Sequence, residues 1–546
     1  MSLNRTLRMI WRVRPVQAFA QLRHAVFRRR KLAAPAHVVP SWALRGWPVA
    51  QLAAPAHASW NGEGRIGLIG REVEFESVDR IDWRFAEAGS LFTYQLHFFE
   101  WARVEGVSPE ARVAAMQHWI GNCDAGVGWD SHPISVRTLS WLAMRFADGG
   151  AAAIDKEFDR ALRESLDRQI ETLVDHLETR LQANHLLENR LAVVAGALAL
   201  DGARSARWFE EVEPLLEDLA EQFGVDGAHY ERSPMYHSVL LAHILDVLAI
   251  ARSVGSRSPT GLREALARTA ARALSALAVV THPDGDIALL GDSAFGIAPR
   301  PDALRAYARS LGVLPALPPE RDLLRSVGHG RLCGSELVAI ASFAGPSPPH
   351  QPGHAHCDAL SFELSVGTER VITDTGVYEY TPGERRARSR STAAHATLRI
   401  GDREQAEMWS GHRVGGRPDV ELVSSLPGRV IEARCSSWST PRTVQRRRFE
   451  MEGDVLRIED RIEGDEASVR AALPMAPGLG AELAGDVLRI ALGSGGSLVV
   501  ELPAGFTWRL VRAPYFPKFG CEEEREMLLG DATGFRRGIW TFRVER

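Results

Sequence analysis

From about Asp79 to Leu311, apolar residues recur every third or fourth position, as at Leu162, Leu166, Ile170, Leu173 and Leu177, against a background rich in Ala, Leu, Arg and Glu. That period gives each of a series of helices one apolar stripe. The pattern breaks at Leu314-Pro-Ala-Leu-Pro-Pro-Glu320, where proline removes backbone donors and stops helix. Beyond it the period falls to two, in short runs at 336–342, 360–366, 444–451, 455–462, 487–492 and 498–502. Turn sequences such as Glu452-Gly-Asp454 and Ser494-Gly-Gly-Ser497 separate these runs. Such spacing predicts an antiparallel sheet or sandwich. The chain therefore divides into a lead-in over 1–78, a helical domain over 79–318 and a β domain over 319–546. No repeat is strong enough to indicate a solenoid, although serial helical hairpins are compatible with a toroid.

Length agrees with this division, since 546 residues exceed what one core accommodates. A net charge of −4 excludes a global field that would draw the chain to nucleic acid or membrane. The local balance differs. Arg5, Arg8, Arg12, Arg14, Arg23, Arg28, Arg29, Arg30 and Lys31 precede the first acidic residue, Glu63. A basic, partly amphipathic start of this kind lies on an anionic membrane surface, holds an acidic polymer, or is a solvated arm. No apolar run of about 20 residues predicts a membrane span. The run from Val16 to Phe27 is interrupted by Gln17, Gln21, Arg23 and His24, which argues against a secretory signal. Cys123, Cys333, Cys357, Cys435 and Cys521 lack metal-ribbon spacing and are expected as reduced thiols. The expected location is cytoplasmic, with periplasmic or membrane-peripheral placement left open. Ten of the fourteen tryptophans precede Phe209 and are expected mainly as core, the alternative being the stacking floor of a sugar cleft.

Chemistry concentrates between Gly353 and Thr397. Leu360, Phe362, Leu364 and Val366 alternate with Ser361, Glu363 and Ser365, which predicts a half-buried strand. If that strand begins upstream, His354 and His356 project to one side. Asp374 and His395 lie far enough along for neighbouring strands to bring them back beside the first pair. Neutral imidazoles and a carboxylate suit a zinc-like ion. Asp358 shares the His356 face by parity and is a weaker ligand candidate, while Cys357 falls on the opposite face and is expected to pack. Arg385, Arg386, Arg388 and Arg390 form either an acidic-glycan contact or a solvated basic loop.

Two segments stand out in the helical half. Asn184 and His185 sit among polar groups between apolar stretches, as a helix cap or as site residues. In Asp226-Gly-Ala-His-Tyr-Glu-Arg-Ser-Pro-Met-Tyr-His237, Ser233 and Pro234 are suited to open a helix, which puts Tyr236 and His237 in its first turn. There a tyrosine is either an amphipathic packing residue or faces an anionic partner. Together Asn184, His185, Tyr236 and His354 supply an amide, two imidazoles and a phenol. These are the groups needed to remove a proton beside a carboxylate and to protonate a leaving oxygen. No serine or cysteine elbow and no phosphate-cradling glycine loop competes with them.

The succession NH(x)3N, DGxxxERSPxYH, GHAHxDxLSFEL, DTGxYEY and RSTxAHxT resembles the heparinase II/III-like polysaccharide lyases over most of the chain after about residue 80. The resemblance implies an N-terminal (α/α) toroid, a C-terminal antiparallel β-sandwich and an active site in the cleft between them. It implies Tyr236 as the catalytic tyrosine, with Asn184 and His354 binding and neutralising a uronate carboxylate. His185 is implied as base or carboxylate-binding group. His356, Asp374 and His395 are implied as ligands of a structural metal, usually zinc, that orders the strands bearing His354. Arg137 lies in a segment similar to one that lines the family's cleft, and with Arg385, Arg388 and Arg390 it is a candidate for substrate binding. Ala396 departs from the usual asparagine, which predicts a looser outer contact to the metal. The segment 91–101 is similar to a subgroup tied to bacterial exopolysaccharide clusters, implying a role in surface-glycan metabolism.

The implied reaction is β-elimination on an acidic polysaccharide. Its C5 proton is poorly acidic until hydrogen bonds stabilise the enolate-like state. Tyr236 as phenolate or His185 as neutral imidazole takes that proton, and Tyr236 protonates the departing O4. Two other classes fit the same residues. One is a hydrolase whose His356, Asp374 and His395 ion activates water, and the other is a non-catalytic glycan-binding or assembly protein.

Overall fold

A computed structural model describes residues 3–26, 32–147, 154–439, 441–465 and 468–546. Arg28, Arg29, Arg30 and Lys31 of the basic start lie outside the described residues. The helical domain alternates inner and outer helices. Ser131–Phe146, Ala183–Ala199 and Pro234–Ser253 pack side by side and are buried on nearly every face. Lys156–Asp175, Val212–Gln222 and Leu262–Val279 pack outside them and bury one stripe each, as with Phe158, Leu162, Leu166, Ile170 and Leu173. This inner and outer succession is the toroid. The helix Pro234–Ser253 is long and apolar enough to cross a membrane, but it is buried as a core helix.

Residues of the lead-in join this core instead of preceding it. Ser41–Trp42 pairs with Leu200–Asp201, and Trp60 packs edge-on against Trp101 with ring centroids 4.8 Å apart. Trp42, Trp60, Trp83, Trp101, Trp119, Trp129, Trp141 and Trp208 are all buried, which settles them as packing residues.

The β domain is antiparallel throughout its three main sheets. An eight-stranded sheet runs in the order 419–426, 430–436, 444–452, 455–463, 537–545, 497–501, 487–491, 481–484. A four-stranded sheet (398–400, 468–474, 523–533, 507–515) and a five-stranded one (369–372, 362–366, 337–342, 329–333, 323–324) complete it. Phe449, Ile458 and Trp540 of the first sheet share a core with Leu473 and Leu364 of the others. Strand Val455–Glu463 shows the expected alternation of buried and open positions. All five cysteines are unpaired, and Cys357 packs against Ala406 and Val414, its thiol pushed up by burial to about 12.

The strand expected at 360–366 needs correction. It begins at Phe362, because Leu360 takes a left-handed conformation (φ 61°), and His354 and His356 lie in the loop before it. Nor is it half-buried: all of Phe362–Val366 is covered. The polar face meets the helical domain, where His282 contacts Glu363 Oε2 at 2.9 Å and Ser365 Oγ at 2.8 Å. Alternation reports two chemically different faces, and here the polar one is satisfied by a buried partner instead of water.

Candidate active site

Ser233 accepts a hydrogen bond from the Tyr236 N–H at 3.2 Å, and Pro234 opens the helix, as its sequence requires. Tyr236 is thereby fixed in the first turn, half-buried, with its ring 4.0 Å from that of His354. Its hydroxyl lies 2.9 Å from the Tyr380 hydroxyl. Burial pushes the phenol well above its ordinary pKa, and the bond with Tyr380 offsets this only in part. His237, its neighbour, turns inward to the Ala273 carbonyl and is a packing residue.

Asn184 and His185 start the next inner helix. Gln182 and Ala183 both have positive φ (61° and 54°), two consecutive left-handed residues that set the entry of the chain into this helix. The Ala183 carbonyl is held by Gln222 Nε2 at 3.1 Å. His185 stays half-exposed, with Nδ1 3.2 Å from Glu178 Oε2. Its ring lies 4.7 Å from that of His132. Burial alone would lower the His185 pKa, but the Glu178 carboxylate outweighs it and raises it. Burial likewise opposes ionisation of Glu178, yet attraction to His185 and His132 holds it down at about 2. The second asparagine of the NH(x)3N motif has a positioning task. Asn189 Oδ1 accepts the Glu178 N–H at 2.9 Å, and Asn189 Nδ2 donates to Ser135 Oγ at 3.0 Å.

His354 faces Tyr236 from the β domain, and the residue that holds it there is Asp292. This fully buried carboxylate meets His354 Nδ1 at 2.9 Å through one oxygen and His356 Nε2 at 2.8 Å through the other. Arg386, also buried, donates to both oxygens. Burial alone would raise the Asp292 carboxyl, but the Arg386 guanidinium and the two imidazoles hold it well below the ordinary carboxylate range. Asp292 and Glu178 carry no signal in the sequence pattern, and Arg386, expected as a glycan contact or part of a solvated basic loop, is neither, being buried against Asp292. Asp292 lies in a Gly-Asp-Ser turn with no spacing relation to the histidines it serves, and Arg386 is indistinguishable in sequence from the arginines around it.

His356, Asp374 and His395 offer donor atoms that all lie within 4.8 Å of one another, and all three residues are buried. His395 Nδ1 sits 2.6 Å from Asp374 Oδ2. His356 Nδ1 and His395 Nε2 are buried with no hydrogen-bond partner. Two orphaned imidazole nitrogens beside a carboxylate suit a divalent cation. Burial also keeps His356 below its ordinary pKa and hence neutral, as a ligand must be. Asp358 is not among the three. The DTG sequence is explained by Gly376 (φ 71°), where a Cβ would collide with the Phe516 carbonyl.

The four arginines proposed for substrate separate. Arg137 does not line the cleft: it is fully buried in the helical domain, bonded to Gln169, the His97 carbonyl and the Gly128 carbonyl, and stacked on Trp119. Arg390 is buried too and donates to the Ala355 and Gly411 carbonyls, bracing the His354 loop from behind. Arg385 is exposed, paired with Glu522 at 2.7 Å and lying over Tyr378. Arg388 is half-buried at the wall of a cavity with Trp409 and Glu404. Beside Tyr380 and His412 opens another cavity of about 380 Å³, which Tyr94, Arg71, Tyr378 and Glu379 also line. Within 91–101, Phe92, Leu96, Phe99 and Trp101 are core, and Tyr94 and Leu91 reach that cavity.

Residues 127–315 match the model of the heparinase II/III N-terminus, and residues 317–546 that of the heparinase II/III-like C-terminal region. The chain belongs to the heparinase II/III-like family. Solved structures agree in fold. A heparinase III crystal structure superposes with a TM-score of 0.67 at 17% identity, covering 85% of this chain and 79% of that one. The heparan sulfate lyase HepC of Pedobacter heparinus gives 0.57 at 16% identity, covering 90% and 81%. Curated protein sequences give no match. The family's toroid and sandwich are thus both present; the structure brings Tyr236, His354 and Tyr380 together, while His185 contacts Glu178 and His132 instead.

Proposed function

We propose that this protein cleaves a uronate-containing acidic polysaccharide by β-elimination, with Tyr236, His185, Asn184 and His354 as the reacting and carboxylate-binding groups. The observation that carries this reading is the contact of Tyr236 with His354 across the junction of the two domains, their rings 4.0 Å apart. His185 takes the C5 proton. The Glu178 carboxylate holds its Nδ1 and raises its basicity, leaving Nε2 for substrate, as a carboxylate–imidazole pair does in general-base catalysis. Tyr236 protonates the departing O4, and its raised pKa supports a phenol that stays protonated until then. That shift favours divided roles over a single phenolate serving both steps. Asn184 and His354 donate to the substrate carboxylate and stabilise the enolate-like state.

His356, Asp374 and His395 hold a zinc-like ion in this proposal. When bound, it supplies charge that fixes both imidazoles. Through His356 and Asp292 its site is one residue removed from His354. Because the three ligands are buried, the reading of this ion as a water-activating hydrolytic centre has less support. Exposed Arg385 and half-buried Arg388 remain proposed contacts for an acidic chain, and metabolism of a bacterial surface polysaccharide remains the proposed setting. The test is a panel of uronate polymers, each offered intact and with its carboxylates reduced to alcohols. Products bearing an unsaturated, ultraviolet-absorbing uronate are expected only from intact polymer. Saturated products would indicate hydrolysis, and no product with retained binding would indicate a glycan-binding protein.

A further inference from the structure

The two N-terminal helices, Leu3–Ile10 and Pro15–Val26, carry an apolar face that the rest of the fold leaves open. Leu7 and Ile10 are three apart in the first helix, with Trp11 in the turn that follows it, and Val16, Phe19 and Leu22 recur at three along one side of the second. Their exposures are 53%, 52% and 91%, then 48%, 69% and 64%. Elsewhere among the described residues, exposed large apolar side chains are scattered along the chain, as at Val38, Val225 and Ile539.

Neighbouring side chains anchor the pair to the fold, and Leu7 and Trp11 border a cavity whose far wall includes Trp438 and Asp419 of the β domain. Arg8 pairs with Glu407 at 2.8 Å, and Arg5 lies 4.2 Å over the Trp409 ring, both in the β domain. Arg14 pairs with Glu221 and bonds Gln182 at 3.2 Å in the helical domain. Gln17 is buried and donates to the Leu181 and His350 carbonyls. The pair thus straps the two domains together beside the loops that lead to Asn184 and His354.

Charge decides what covers this face. Arg12 and Arg23 are exposed at its rim, and no acidic residue precedes Glu63. Two copies of such a face would oppose cation to cation. An acidic polysaccharide would satisfy the arginines but has no use for Leu7, Ile10, Val16 and Leu22. A surface that is both anionic and apolar beneath satisfies both sets, and tryptophan favours such an interface. We propose that the N-terminal helix pair is a docking surface for an anionic lipid bilayer, holding the mouth of the cleft beside the membrane.

Co-sedimentation of the full chain with vesicles tests this, using phosphatidylcholine alone and phosphatidylcholine mixed with phosphatidylglycerol. Binding is expected to the mixed vesicles only and to weaken in high salt. The double variant Trp11→Ser/Phe19→Ser should weaken it at least about tenfold. Its melting temperature should not change, because both side chains are exposed. Should that variant fail to fold, Arg12→Glu/Arg23→Glu provides the second reading and should lose the preference for phosphatidylglycerol. The proposal is overturned if the wild type ignores mixed vesicles, or if both variants bind them as well as it does. It is equally overturned if light scattering shows a wild-type dimer that Trp11→Ser/Phe19→Ser dissociates while vesicles are not bound, since the face would then join two copies.

Discussion

The pKa values of His185 and Tyr236 are both raised, the first by the Glu178 carboxylate and the second by burial, and each shift has a measurable consequence. Glu178 raises the His185 pKa, so the neutral form that accepts a proton is populated only as pH rises through that raised value. Glu178→Gln removes the attraction and lowers the pKa, which should move the acid limb of the kcat/KM profile to lower pH. It should also reduce the rate, because the imidazole loses its orienting partner. A profile unchanged by this substitution would remove His185 from the role of base. For Tyr236, burial keeps the phenol protonated across ordinary pH, so no alkaline limb from it is expected below about pH 10. Tyr236→Phe retains the ring that packs on His354 and loses the hydroxyl, its proton and its bond to Tyr380. Its rate should fall by about 10²–10⁴-fold or more, with the melting temperature changed little.

At the scale of elements, the loop bearing His354, the turn bearing Asp292 and the helix Glu384–Ser389 bearing Arg386 are fastened by one buried carboxylate. Asp292→Ala leaves Arg386 buried without a counter-charge, and the expected cost is about 3–5 kcal/mol, readable by denaturant unfolding. Asp292→Ala/Arg386→Met should recover part of that stability but not the activity, because His354 would remain unheld. Some of this level was legible in the sequence. The cap at Ser233–Pro234 and the strand boundaries near 444–463 follow from local rules, and the structure keeps them within a residue or so. The Asp292 hub was not legible, because a contact between residues 62 and 94 positions apart leaves no local period. The covered face of Phe362–Val366 was hidden for a related reason: Glu363 and Ser365 have the pattern of solvent-facing residues and are met instead by His282. Arg137 failed in the reverse way, since a guanidinium with every direction satisfied by carbonyls and an amide is a core residue despite its charge.

For the whole molecule, the division of labour between domains is the main consequence of the fold. In the proposed reaction the helical domain supplies Asn184, His185 and Tyr236 and the β domain supplies His354 and Tyr380, so the proposal requires the two to stay in register. The Glu363 and His282 contact and the N-terminal strap both span that junction. Elemental analysis of the purified protein should find about one divalent ion per chain, lost in His356→Ala, with a lower melting temperature after chelation. The cleavage reading itself is tested most directly by ultraviolet absorbance over time with an intact uronate polymer, wild type beside Tyr236→Phe. Steady growth of an unsaturated-uronate signal in the wild type, and growth slower by about 10²-fold or more in a folded Tyr236→Phe, is the predicted result. Equal signals from the two proteins, or cleavage that yields only saturated ends, would contradict it.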